Sequence, residues 1–232
     1  MSPHLIVLPG LDGTARLLAP FLDAVKPNFA SASAIVYPHD TPMDYAALEV
    51  FARERLPNDA PFVLLGESFS GPIAIAIAAD PPPNLVGFVL STTFARAPVP
   101  LVSSFAPLTR FAPVRSLPVA ALSLVLLGRW STPALRRNLR AALDDVAPDV
   151  LRARAACAMR ANVAAKLVHI NVPTLCLRAR SDRLLRPRAG RELLAGIRDT
   201  RECLLDGPHL LLQTRTEACA RIVVAFNDEI QR

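Results

Sequence analysis

Apolar residues follow two rhythms along this chain. Short runs at residues 5–8, 34–37, 62–65, 85–90, 174–177 and 202–205 predict strands. Several are uninterrupted enough for strands covered on both faces. Between them, residues 15–25, 45–56, 73–79, about 187–197 and about 210–230 predict helices. Six strands alternating with helices imply an α/β fold, a doubly wound and mainly parallel six-stranded sheet with right-handed crossovers. Ligands of such sheets bind at the carboxyl ends of the strands, and this rule sorts the candidate residues.

The alternation stops between strands four and five. Residues 95–168 are rich in proline, contain a long apolar run at 117–127, and continue as arginine-rich helical patterns over 133–166. The run of about eleven residues is too short to cross a bilayer. We expect residues 95–168 to form a helical lid inserted in a single domain spanning 1–232. At 232 residues and 52% hydrophobic, the chain can bury one sizeable core, with no shift in composition to mark a second. The opening MSPHLIVLPG has no basic region and only a brief apolar run, so no signal peptide and a cytoplasmic location are expected. Cys157, Cys176, Cys203 and Cys219 are widely spaced without a C-x-x-C, which predicts free thiols. No cofactor or metal is expected. The net charge is +6, and 24 of the 26 basic residues are scattered arginines with no basic stripe interleaved with aromatics. Nucleic-acid binding is therefore not expected.

The chemistry concentrates at GESFSG, residues 66–71, between a buried strand and an Ala/Ile-rich helix. A serine between small residues at such a turn is a nucleophile elbow, whose strained backbone holds the hydroxyl above the sheet edge. The residues two before and two after the nucleophile face each other across the turn, and here they are Gly66 and Ser70. Ser70 is excluded as nucleophile because Pro72 would take its second small position. Ser68 is the choice. A serine needs a base, and the base an orienting acid. His4 and His169 precede strands and fall at the wrong edge; His39 lies on a strand toward the outside of the sheet. His209, in LLDGPHLLLQ, directly follows the last strand. Asp182 stands just after the fifth strand, where its loop adjoins that of the sixth. Asp206 is the runner-up, three residues from His209, while Asp144, Asp145 and Asp149 read as solvated helix residues. Acyl transfer also needs two donors for an oxyanion. The Phe69 amide is one, and the Leu11 amide in the glycine-rich LPGLDGT loop is the other.

With LPGLDG, GESFSG, ARSDRLL and DGPHLLLQ in this order, the chain resembles the α/β-hydrolase superfamily over almost its whole length, as a serine-nucleophile, esterase-like member. It departs in Pro9-Gly10, where His-Gly is frequent, and in Ser70, where glycine is usual. The family's leading antiparallel hairpin is missing from the pattern. The resemblance implies hydrolysis of a carboxylic ester or thioester through an acyl-enzyme, as in a carboxylesterase acting on a small-molecule substrate. Two alternatives stay open: a thioesterase or methyl-esterase acting on carrier-bound acyl groups, and a non-catalytic binding protein of the same fold. For the first, Arg136, Arg137, Arg140, Arg152 and Arg154 would meet an acidic acyl-carrier partner, although a solvated helix face also explains them. A complete triad speaks against the second. Phe94, Leu101, Phe105, Leu108, Phe111 and the 117–127 run carry more apolar surface than the segment can bury on itself. Part of it is expected to form an acyl pocket above Ser68.

Overall fold

The structure, a computed structural model, describes residues 2–97 and 119–232. Its centre is one six-stranded sheet of β1 (His4–Leu8), β2 (Ser31–Ala34), β3 (Phe62–Glu67), β4 (Leu85–Ser91), β5 (Thr174–Ala179) and β6 (Thr200–Leu205), in the order β2-β1-β3-β4-β5-β6. Every neighbouring pair is parallel. Alternation along the strands divides the core into two layers. Ile6, Leu8 and Leu64 face a layer with Leu48 and Ala52 of α2 (Tyr45–Arg53), Ile73 to Ala78 of α3 (Gly71–Ala79) and Leu193 of α7 (Pro187–Gly196). Leu5, Val7, Val63 and Leu65 face the other, with Phe21 and Val25 of α1 (Ala19–Val25) and Val223 and Phe226 of α9 (Thr216–Ile230). Burial on both faces is why the central strands carry no polar alternation.

Two elements differ from the sequence pattern. The second strand lies at 31–34 instead of 34–37, because the small residues Ser31 to Ala34 pair with His4 to Val7. After a last bond from Ile35 N to Val7 O, the chain leaves the sheet, and Tyr37 N donates instead to Gly13 O. Ile35 and Tyr37 are buried by the helix layer, not by ladder position. The final helix is broken at Arg215 (φ −125°, ψ 36°) into α8 (Leu211–Thr214) and α9.

Of the stretch expected to be a lid, residues 98–118 lie outside those described, and with them Leu101, Phe105, Leu108, Phe111 and Leu117. The rest is helical: α4 (Val119–Leu126), α5 (Pro133–Asp144), α6 (Pro148–Arg160) and a short 3-10 helix at Ala164–His169. Thr132 caps α5 by accepting from Leu135 N. This helical insert is tied to the loops that follow β2 and β6 by backbone bonds from Ala147 N to His39 O (2.8 Å) and Leu210 N to Leu126 O (3.0 Å), while Val163 N to Ala95 O (2.8 Å) joins its two ends. Leu127, Leu139 and Ala142 pack with Leu17 and Leu210, beside His209. Among the described residues no helix is long and apolar enough to cross a membrane.

Candidate functional site

Strand β3 runs into Ser68 at its carboxyl end, and Ser68 has the left-handed φ of 47° that the sharp turn demands of a non-glycine residue. Gly66 lets the turn close: a Cβ there would come within 2.5 Å of Ala74 Cβ on α3. Ser70, the departure from glycine, is fully buried and bonded to two partners. Its hydroxyl donates to the Pro9 carbonyl, so the Tyr37 hydroxyl, 2.7 Å away, is the donor to Ser70 Oγ. The serine joins the elbow to the end of β1. β4 is followed by a second left-handed residue, Thr92 (φ 41°), after which Thr93 Oγ1 donates to the Ser68 carbonyl at 2.5 Å. Tyr45 stacks on Phe69 and donates to its carbonyl at 3.0 Å.

Ser68, Asp182 and His209 come together. Ser68 Oγ lies 2.7 Å from His209 Nε2, and His209 Nδ1 lies 2.8 Å from Asp182 Oδ2. A carboxylate only accepts, so Nδ1 carries the proton and leaves the Nε2 lone pair for the serine hydroxyl. Asp182 Oδ1 accepts from Leu184 N and Leu185 N, both at 2.8 Å, which fixes the carboxylate. The acid and histidine loops are joined by backbone bonds from Arg180 N to Leu205 O and from Ser181 N to Gly207 O. The three other histidines are elsewhere: His4 bonds Ser31 Oγ, and His39 and His169 are exposed. Asp206 turns outward to Arg129. All four cysteines are free. Burial pushes the Cys176 and Cys219 thiols up to about 12, so neither offers a thiolate at neutral pH.

The loop bearing Leu11 crosses the same strand ends, but several residues around it carried no sequence signal. Glu67, beside the serine, is buried and accepts from Gln213 Nε2 at 2.8 Å. Burial pushes its carboxyl up to about 7, opposed by the Gln213 bond and reinforced by the Asp12 carboxyl, itself raised by burial. Arg154, counted above among arginines that would meet an acidic partner, is instead only 2% exposed, because its guanidinium is taken up by backbone carbonyls. Helical position alone does not separate it from Arg137 and Arg140, which are exposed.

Glu67 gives a pH prediction. Its folded value lies above the ordinary 4.5, so the folded state keeps a proton that the unfolded chain has lost. The resulting stability is present below about pH 4.5 and is lost as the pH rises to about 7, by on the order of 3 kcal/mol. Glu67→Gln should flatten this slope in urea unfolding followed from pH 5 to 8. A wild-type slope in the variant assigns the proton to another group.

Residues 38–212 match the family described as serine aminopeptidase, S33. A comparison with curated proteins finds no match. Among solved structures, the enol-lactonase from Burkholderia xenovorans LB400 superposes with a TM-score of 0.85 at 20% identity, over 97% of this chain and 91% of that one. A thermophilic esterase from Thermogutta terrifontis gives 0.82 at 17% identity, over 100% and 92%. MenH from S. aureus gives 0.81 at 16%, over 99% and 95%. At these identities the likeness is one of fold. The family match covers most of the chain, including the elbow, the acid loop and the histidine, and it agrees with the all-parallel sheet: the chain belongs to the serine aminopeptidase S33 family of α/β-hydrolases.

Proposed function

We propose that the protein is a serine hydrolase that cleaves a carboxylic ester through an acyl-enzyme. The observation that carries this reading is the unbroken line from Asp182 through His209 to Ser68, with both contacts below 3 Å. Ser68 Oγ attacks the ester carbonyl carbon while His209 Nε2 takes its proton. The carbonyl oxygen becomes an oxyanion held by the Leu11 and Phe69 amides. Collapse breaks the bond to the alcohol, which leaves with the proton from His209. A water then gives its proton to His209 and attacks the acyl-serine; the acid departs and the proton returns to Ser68. Asp182 holds the imidazole in the required tautomer and offsets the charge it gains. We further propose that the helical insert within residues 95–168 acts as a lid that shapes the substrate pocket.

The test is a panel of p-nitrophenyl esters and thioesters of graded acyl length, with an aminoacyl p-nitroanilide for the peptidase chemistry in the family's description. Esters should be turned over, with the anilide slow. The apolar cluster of Leu17, Leu127, Leu139 and Leu210 is itself buried, as Phe94 is against Ala161 and Leu185. The partly exposed Leu122 and Leu126 at its margin, the latter bonded through its carbonyl to Leu210 N beside His209, support an acyl-binding surface. Each methylene buried there is worth about 0.8 kcal/mol, close to fourfold in rate. kcat/KM should therefore climb from acetyl to at least butyryl or hexanoyl. A profile highest at acetyl sinks the acyl pocket, and turnover of the anilide without any ester sinks the ester reading.

A further inference from the structure

We infer that Arg154, from α6 of the helical insert, is a positioning residue that sets the Leu11 amide for the oxyanion. This rests on the proposed role of that amide. The relevant peptide plane joins Gly10 to Leu11, and the turn from 10 to 13 is pinned at every carbonyl. Gly10 O accepts from Gly13 N at 2.9 Å. Arg154 Nη1 donates to both Leu11 O (3.1 Å) and Asp12 O (2.6 Å). Gly13 O accepts from Tyr37 N at 2.9 Å. With four consecutive carbonyls held, the plane carrying the Leu11 N–H has little freedom left to rotate.

The guanidinium is built into this place. Nη2 donates to Pro38 O at 2.8 Å, tying the loop after β2 to the same group. Gly13 has a φ of 69°, and any Cβ there would collide with the guanidinium. The buried charge is compensated locally. Asp12, whose carboxylate accepts from Thr14 N and Oγ1, favours the cation electrostatically, and the Tyr37 ring centroid lies 5.6 Å from Arg154 Cζ. A planar fork can serve three carbonyls on two chain segments at once, which an ammonium cannot do with the same geometry. The insert therefore takes part in assembling the site.

The experiment compares Arg154→Lys and Arg154→Met with wild type, and uses Arg160→Met, an exposed arginine of the same helix, as control. Two quantities are read: kcat and KM on the best ester of the panel, and the rate at which a p-nitrophenyl phosphonate labels Ser68 by mass. In labelling, Ser68 Oγ displaces p-nitrophenolate from phosphorus, and the phosphoryl oxygen takes the place of the oxyanion. Titrating the competent sites with the phosphonate corrects for any loss of folded protein. Because removing one oxyanion donor costs about 10²- to 10³-fold, misaligning one should lower kcat and labelling together by about 10- to 100-fold in Arg154→Met. KM should hold within about threefold, and Arg154→Lys should recover part of the loss. Arg160→Met should match wild type. Equal labelling and kcat per competent site in the Arg154 variants overturn the inference. Failure of both variants to fold also overturns it, since Arg154 then serves the fold alone. A wild type that neither labels nor hydrolyses esters removes the proposed function instead, so the two failures are distinct.

Discussion

Ser68→Ala should fold like the wild type and lose about 10⁴- to 10⁶-fold in kcat, because no other nucleophile can take its place in the proposed mechanism. The elbow needs the left-handed backbone at this residue, φ 47°, and alanine fits it no worse than serine. The thermal midpoint should therefore hardly move while turnover on the preferred ester disappears. Ser70→Ala is the decisive companion. It should keep most of its turnover per folded molecule, since its hydroxyl faces Pro9 O and Tyr37 Oη instead of His209. It should instead lose stability, by roughly 1–3 kcal/mol for each of the two buried groups left without a partner. A live Ser68→Ala with a dead Ser70→Ala would mean the elbow has been misassigned.

His209→Ala should be as damaging as loss of Ser68. Asp182→Asn should cost less, about 10³- to 10⁴-fold in kcat. The Asn oxygen can still accept from Leu184 N and Leu185 N, which turns its NH₂ toward Nδ1. The imidazole then carries its proton on Nε2 and offers Ser68 no lone pair. A phosphonate checks both roles: Ser68 should be labelled fast in the wild type and slowly in both variants. Equal rates in wild type and His209→Ala would show that His209 is not the base.

What the sequence made legible was what lies close together in the chain or is forced by burial. The run Phe62 to Leu65 has no polar position to hide, so β3 and the elbow after it stood out, and the loops of Asp182 and His209 followed from the strands they end. β2 was misplaced because an edge strand of Ser-Ala-Ser-Ala has no apolar signature, while Ile35 and Tyr37 beyond it are buried for a different reason. The break at Arg215 is hidden because no Gly or Pro marks it in Gln213 to Glu217 and apolar residues resume at Ala218. Glu67, Thr93 and Arg154 escaped for one cause: what buries them comes from segments far away in sequence. Glu67 meets Gln213, Thr93 meets Ser68, and Arg154 meets Leu11, 143 residues earlier. No local pattern separates a buried arginine in RARAACAMR from its exposed neighbours.

The separation of the reacting groups along the chain also sets the order in which they come into being during synthesis. Asp182 and His209 are 27 residues apart, but Ser68 and His209 are 141 apart. At about 5–20 residues per second, the elbow is made roughly 7–28 s before the imidazole that faces it. Over that interval the helical insert is being translated between β4 and β5, so any sheet made of β2-β1-β3-β4 alone has its β4 edge unpaired. Until His209 is made the nascent chain carries a serine without a base, and because His209 follows β5 and β6, both strands are synthesised before the contact with Ser68 can form.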